Sequence, residues 1–128
     1  MLSRVGDLGY GEGRLHFQKL RADREVFLLA QAVAEETDVC LSNMLRRQRG
    51  FGRAALARQL AIYLANVVLA RPQQEIAELF GRNRRTVSYA LQAIEDRRDS
   101  PIVERLIERI ERRFDRTHPR TRRVRHGA

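Results

Sequence analysis

The chain has 128 residues, room for one compact domain with a real core and too few for two domains and a linker. Its 25 basic residues outnumber 16 acidic ones for a formal charge of +9, a balance that suits a polyanionic partner. One cysteine excludes a disulfide framework and a cysteine-based zinc site, and no apolar run reaches the length of a membrane span or a signal peptide, so the chain reads as cytoplasmic.

Residues 1–22 hold Gly6, Gly9, Gly11 and Gly13 without a sustained hydrophobic period and read as a mobile N-terminal arm. From Asp23 to Glu36, Val26, Phe27, Ala30, Val33 and Ala34 recur at helical spacing and predict the first helix. Cys40 is expected to be a small core hydrophobe. Ser42 to Arg47 should form one or two helical turns with Met44 and Leu45 pointing inward. Residues 46–54, RRQRGFGRA, follow: Gly50 and Gly52 interrupt helicity, with Arg46, Arg47, Arg49 and Arg53 around them and Phe51 between. A basic glycine loop can track a phosphate backbone or place an arginine in a minor groove, and the plain alternative is a solvated connector.

The central helix is predicted from Arg53 to Leu69, apolar over much of its surface through Leu56, Ala57, Leu60, Ala61, Tyr63, Leu64, Val67 and Val68. Tyr63 reads as a core residue with a bonded hydroxyl rather than a base-stacking one. Arg71-Pro72 breaks the chain and starts a short helix with Ile76, Leu79 and Phe80 on one face. Gly81 should end that helix in left-handed backbone, and Asn83 should cap the next, whose stripe is Val87, Ala90, Leu91 and Ile94. Arg82, Arg84 and Arg85 then crowd the second helix's N-terminus. An acid is the usual choice there, because the macrodipole is positive. Arginines in that turn suit a site where phosphates and guanines bring the negative charge, as when a helix-turn-helix presents its second helix to the major groove. An ordinary solvated pair of helices is the bland alternative.

Ser100-Pro101 restarts the chain, and Ile102, Val103, Leu106, Ile107, Ile110 and Phe114 predict a last helix whose stripe either closes the core or supports a dimer. Its acids, Glu104 and Glu108, are interspersed with Arg105, Arg109 and Arg112, and Glu108 and Arg112 are spaced for an i, i+4 pair. Residues 115–128 read as a disordered basic tail. No repeat and no strand-period segment emerges, so the fold class is all-α. His16, His118 and His126 stand at no metal-ligand spacing, and no phosphate-cradling loop or nucleophile arrangement appears. The sequence points to a binding protein rather than an enzyme, with neither cofactor nor metal expected.

From about Val33 to Phe114 the chain resembles the C-terminal DNA-binding domain (domain IV) of the bacterial replication initiator DnaA. The matching pieces are VAEETDVCLSNMLRR, ARQLAIYLAN and EIAELFGRNRRTVSYALQAIE. The resemblance implies a Trp-repressor-like helical domain over residues 23–114, with a basic loop at the minor groove and a helix-turn-helix at the major groove. By position its base-reading cluster falls on Asn83, Arg84, Arg85 and Thr86, and the Arg58-Gln59 pair adds Arg58 to the DNA-contacting set. Two departures matter. Asn83-Arg84-Arg85 stands where the family usually has Asp-His-Thr, after a turn one residue shorter, so the initiator's own box is not the expected target. The family's minor-groove arginine falls on Leu56, and Arg53, one turn earlier, is its natural substitute. No phosphate-cradling motif of an ATPase module stands in these 128 residues, and no ATP binding is expected. The architecture and arginine-rich composition also resemble the DNA-binding part of alphaproteobacterial activators of gene-transfer-agent genes (the GafA/GafY type).

The reading is therefore a nucleoid-associated transcription regulator that binds double-stranded DNA sequence-specifically, with RNA polymerase or a second transcription factor as partner. A modulator of replication at origin sites is the second reading. A basic module that meets RNA polymerase or RNA is the third.

Overall fold

The computed structural model describes residues 18–46 and 52–118. Most of the expected arm, Arg47, Arg49, Gly50 and Phe51 in the basic loop, and tail residues 119–128 lie outside the described part. Within it run α1 (Arg24–Thr37), α2 (Leu41–Met44), α3 (Gly52–Val67), α4 (Gln73–Phe80), α5 (Arg84–Arg97) and α6 (Pro101–Thr117). Residues 18–22, placed in the arm from sequence, are helical, and Leu20 is fully buried. The fold is all-α, as expected.

Helix α3 is the hub. Every residue from Leu60 to Ala65 is buried, so this helix is apolar around its whole circumference, and α1, α4 and α5 all pack against it. Helix α6 packs on α1 with Val103, Ile107, Ile110 and Phe114 buried, so the stripe closes the core. Ile102 is a correction: it is 72 % exposed. The buried residues follow spacings of four, three and four, and a residue one place before Val103 lies about 100° around the helix from it. Val67 is likewise half exposed at the end of α3.

Cys40 is the second correction. Thr37 ends α1, Asp38 reverses the chain in left-handed backbone (φ 62°), and Val39 takes the inward position. Cys40 follows in extended backbone and so faces out, its sulfur 3.4 Å from the Ser42 hydroxyl. Hydrogen bonding from Ser42, then from the Asn43 backbone, holds its thiol below the usual cysteine range.

Arginines tie the helix ends together. Arg71 donates to Asp23 (2.6 and 3.1 Å), Glu25 (2.9 Å) and Glu75 (2.9 Å), joining the N-termini of α1 and α4. Glu25 also meets His118 at 3.0 Å, just past α6. Arg71 reaches this position because Ala70 turns the chain with φ 57° and Asn66 donates its side-chain amide to the Arg71 carbonyl (2.9 Å). On α6, Arg109 meets Glu36 at 3.1 Å, while Arg113 meets Glu36 at 2.8 Å and Glu35 at 2.9 Å. The pairing of these arginines thus runs across to α1, where the sequence suggested pairs along one helix. An α6 packed flat on α1 brings the acidic end of α1 within guanidinium reach.

Candidate nucleic-acid interface

The exposed turn between α4 and α5 is built from its sequence outward. Ile76, Ala77 and Phe80 bury one face of α4, and Val87, Ala90 and Ile94 bury one face of α5. Gly81 ends α4 with φ 65°, the left-handed region that glycine enters without a Cβ clash. The Arg82 N–H then donates to the Ala77 carbonyl at 2.9 Å, closing the helix end. Asn83 caps α5: its Oδ1 accepts from the Thr86 N–H at 2.8 Å. Turn, cap and both stripes lie where the sequence put them.

That cap leaves Arg84 and Arg85 in the first turn of α5, both exposed, with no acidic residue beside them. Among the described residues neither guanidinium has a partner. Two uncommitted cations add to the positive end of the helix macrodipole, and the result is a ready anion site. Thr86 is half-buried behind them. Opposite the buried stripe, Arg85, Ser88, Tyr89 and Gln92 form one exposed face, with Tyr89 66 % exposed. The Ser88 hydroxyl donates to Gln73 Oε1 at 2.8 Å, and the Gln92 amide to Asp96 at 3.0 Å. Sequence reasoning passed over Ser88, Tyr89 and Gln92. Their spacing of three, four and seven from Arg85 was the available signal.

At the other end of α5, the Tyr63 hydroxyl donates to Glu95 at 2.8 Å and accepts from Arg98 at 2.9 Å. Arg98 lies over the Tyr63 ring and also bonds Glu104 on α6. Burial and the neighbouring Glu95 push the Tyr63 hydroxyl's pKa up. Tyr63 is thus the bonded core residue expected, and it fixes how α5 projects from α3.

The remaining candidates divide. Arg53 starts α3 with its side chain 67 % exposed, 4.0 Å from an Asp38 carboxylate that is itself almost wholly exposed. Such a pair restrains little. Arg46 is exposed next to α2 and bonds the Asn43 side chain at 3.4 Å. Arg58 is half-buried and donates to the Met44 carbonyl at 3.3 Å; desolvation lowers its pKa from the usual arginine value. Arg82 donates to the Arg46 carbonyl, 36 residues away in sequence. The structure therefore gathers Arg82 to Thr86 in one turn and brings Arg46 to it through the Arg82 side chain. Among the described residues no three His, Cys, Asp or Glu side chains group as metal ligands, and no helix is long and apolar enough to cross a membrane.

A capped, arginine-opened second helix, set on a glycine turn and held by a buried central helix, defines a helix-turn-helix DNA-binding domain. The chain belongs to the family of the bacterial DnaA protein helix-turn-helix, whose model matches residues 28–94, over half of its length. No curated protein matches it.

Proposed function

We propose that this protein recognises a specific duplex DNA sequence and regulates transcription. Arg84 and Arg85 in the capped first turn of α5, exposed and without a partner among the described residues, carry the reading. An arginine fork matches the O6 and N7 of guanine, and one such bidentate contact discriminates by about 1–3 kcal/mol. Asn83 is matched to adenine, Thr86 to a phosphate or thymine methyl, and Arg46, Arg47 and Arg49 to phosphates. Arg53 is suited to a narrow minor groove, where the negative potential is enhanced. With arginines where the family usually has Asp-His-Thr, the target differs from the initiator's box.

Promoter binding with RNA polymerase or a second transcription factor as partner is the regulatory step, and activation of gene-transfer-agent genes is the particular role to test first. The experiment is genome-wide occupancy by immunoprecipitation. Discrete promoter peaks support the reading, with those genes among them if the particular role holds. Peaks confined to the replication origin would make the protein a replication modulator. An absence of DNA peaks would move the basic surface to an RNA or protein partner.

A further inference from the structure

Two of the arginines in the basic set point into the protein's own backbone. Helix α2 is only four residues long and ends at Leu45 in non-helical backbone. The last carbonyls of any helix lack partners within it; here one guanidinium supplies the carbonyl of the helix's last residue, and a second bonds a carbonyl two residues beyond it. Arg58 reaches back from α3 to the Met44 carbonyl, and Arg82 reaches across from the α4–α5 turn to the Arg46 carbonyl. By its backbone Arg82 is part of the reading turn, since its N–H is fixed on Ala77 and it stands two places before Arg84. By its side chain it belongs to the start of the basic segment. One residue therefore spans the two DNA-facing elements.

We propose that Arg82 and Arg58 are positioning residues that hold the chain after α2, as far as Arg46, on the helix-turn-helix, so that Arg46 and the first turn of α5 meet the duplex as one preformed unit. The proposal rests on the DNA-binding reading above and assigns these two arginines a task other than phosphate contact. Charge-assisted bonds to carbonyls are stronger than neutral ones, and a guanidinium's several donors let it bond two groups at once. Holding residues 41–46 in place beforehand spares the complex the cost of ordering them on binding. Fixing Arg46 to the turn also fixes the separation between Arg46 and Arg84 and Arg85 on α5. A contact from Arg46 and a contact from the first turn of α5 then become mutually dependent.

Arg82→Met keeps most of the side-chain volume and removes the donors, and Arg82→Lys keeps charge and one donor group. The first readout needs no DNA: hydrogen exchange by mass spectrometry over residues 41–46. Loss of one such bond should speed exchange there about five- to tenfold in Arg82→Met, with the thermal midpoint nearly unchanged and Arg82→Lys between it and the parent. The second is fluorescence anisotropy on the specific duplex. Arg82→Met should weaken binding about three- to tenfold, and Arg46→Ala, which keeps the carbonyl, should then cost much less than it does in the parent, because the Arg46 side chain is no longer held beside the turn. Unchanged exchange over 41–46 would overturn the proposal. So would penalties for Arg82→Met and Arg46→Ala that simply multiply, since Arg82 would then be an independent phosphate contact. Arg82→Lys restoring affinity without restoring exchange would overturn it as well. If the parent chain bound no duplex at all, the DNA-binding reading would fall, and the exchange result would still decide whether Arg82 holds the segment.

Discussion

Replacing Arg71 with methionine is the perturbation from which the architecture has most to lose. Its guanidinium satisfies Asp23, Glu25 and Glu75, with side-chain exposures of 18 % for the arginine and 22 %, 28 % and 43 % for the three acids in turn. The cluster is half sheltered, between an exposed pair worth at most ~1 kcal/mol and a fully buried one whose rupture costs about 3–5 kcal/mol. Three carboxylates left facing each other place Arg71→Met at about 2–3 kcal/mol, or a fall of roughly 10–20 °C in thermal midpoint for a domain of this size. The pH dependence is the sharper signature. A hydrogen bond from Arg71 leads the causes that lower the Asp23 pKa; for Glu25, burial raises it, but bonds from Arg71 and His118 outweigh that and lower it overall. Depressed carboxyl pKa values contribute stability that is fully present above the unfolded values, near 3.8 and 4.5, and is lost as pH falls through the folded ones. The parent should therefore lose stability steeply below about pH 4. In Arg71→Met the same acids repel one another and prefer protonation, so its stability should rise as pH drops from about 6 towards 4. Urea titrations at pH 7, 5.5, 4 and 3 separate the two profiles. Parallel losses with acid in both proteins would refute the assignment of Arg71 as the partner of these carboxylates.

Other consequences are read more simply. Ala70→Gly should stabilise the fold by about 1 kcal/mol, because alanine holds left-handed backbone at φ 57° there; a loss of stability would show that the methyl contributes packing. Tyr63→Phe removes a hydroxyl bonded to both Glu95 and Arg98 and should cost about 1–2 kcal/mol in thermal unfolding; a neutral result would show that water replaces it. Asn83→Asp keeps the cap and Asn83→Ala removes it, at about 0.5–2 kcal/mol. On DNA the aspartate form should nonetheless bind worse than its stability suggests, since it sets a negative charge among phosphates. Duplex binding as a whole should weaken with salt at a log–log slope of roughly −4 to −7, from four to eight neutralised phosphates, and a flat titration would contradict a nucleic-acid partner.

The local chemistry of the site was legible in the sequence because it is written in neighbouring residues. Gly81 as stop, Asn83 as cap and Ser100-Pro101 as restart each depend on the conformation of one or two residues, and each stands where expected. The apolar stripes of α4 and α5 were equally plain. Side chains whose partners lie far along the chain were not. Arg82 looks the same in sequence as Arg84 and Arg85, yet its guanidinium is taken by a carbonyl 36 residues away. Arg58 is part-buried by the fold rather than by its neighbours, and Arg71 was read only as the residue before a proline. Cys40 and Ile102 were misplaced for a smaller reason: each sits one residue off an inward position, in extended and helical backbone respectively.

The central claim is that the first turn of α5 reads bases, and one titration tests it most directly. Arg84→Ala and Arg85→Ala are compared with the parent by fluorescence anisotropy, on the specific duplex and on a scrambled one at the same salt. Arg105→Ala on α6 is the control, and circular dichroism verifies folding. A bidentate guanine contact predicts a loss of about 1–3 kcal/mol, roughly five- to 150-fold, on the specific site for at least one of the two, a much smaller loss on scrambled DNA, and little change for Arg105→Ala. Parent-like binding of the specific duplex by both α5 variants would show that this helix is scaffold, and that any sequence preference is read elsewhere.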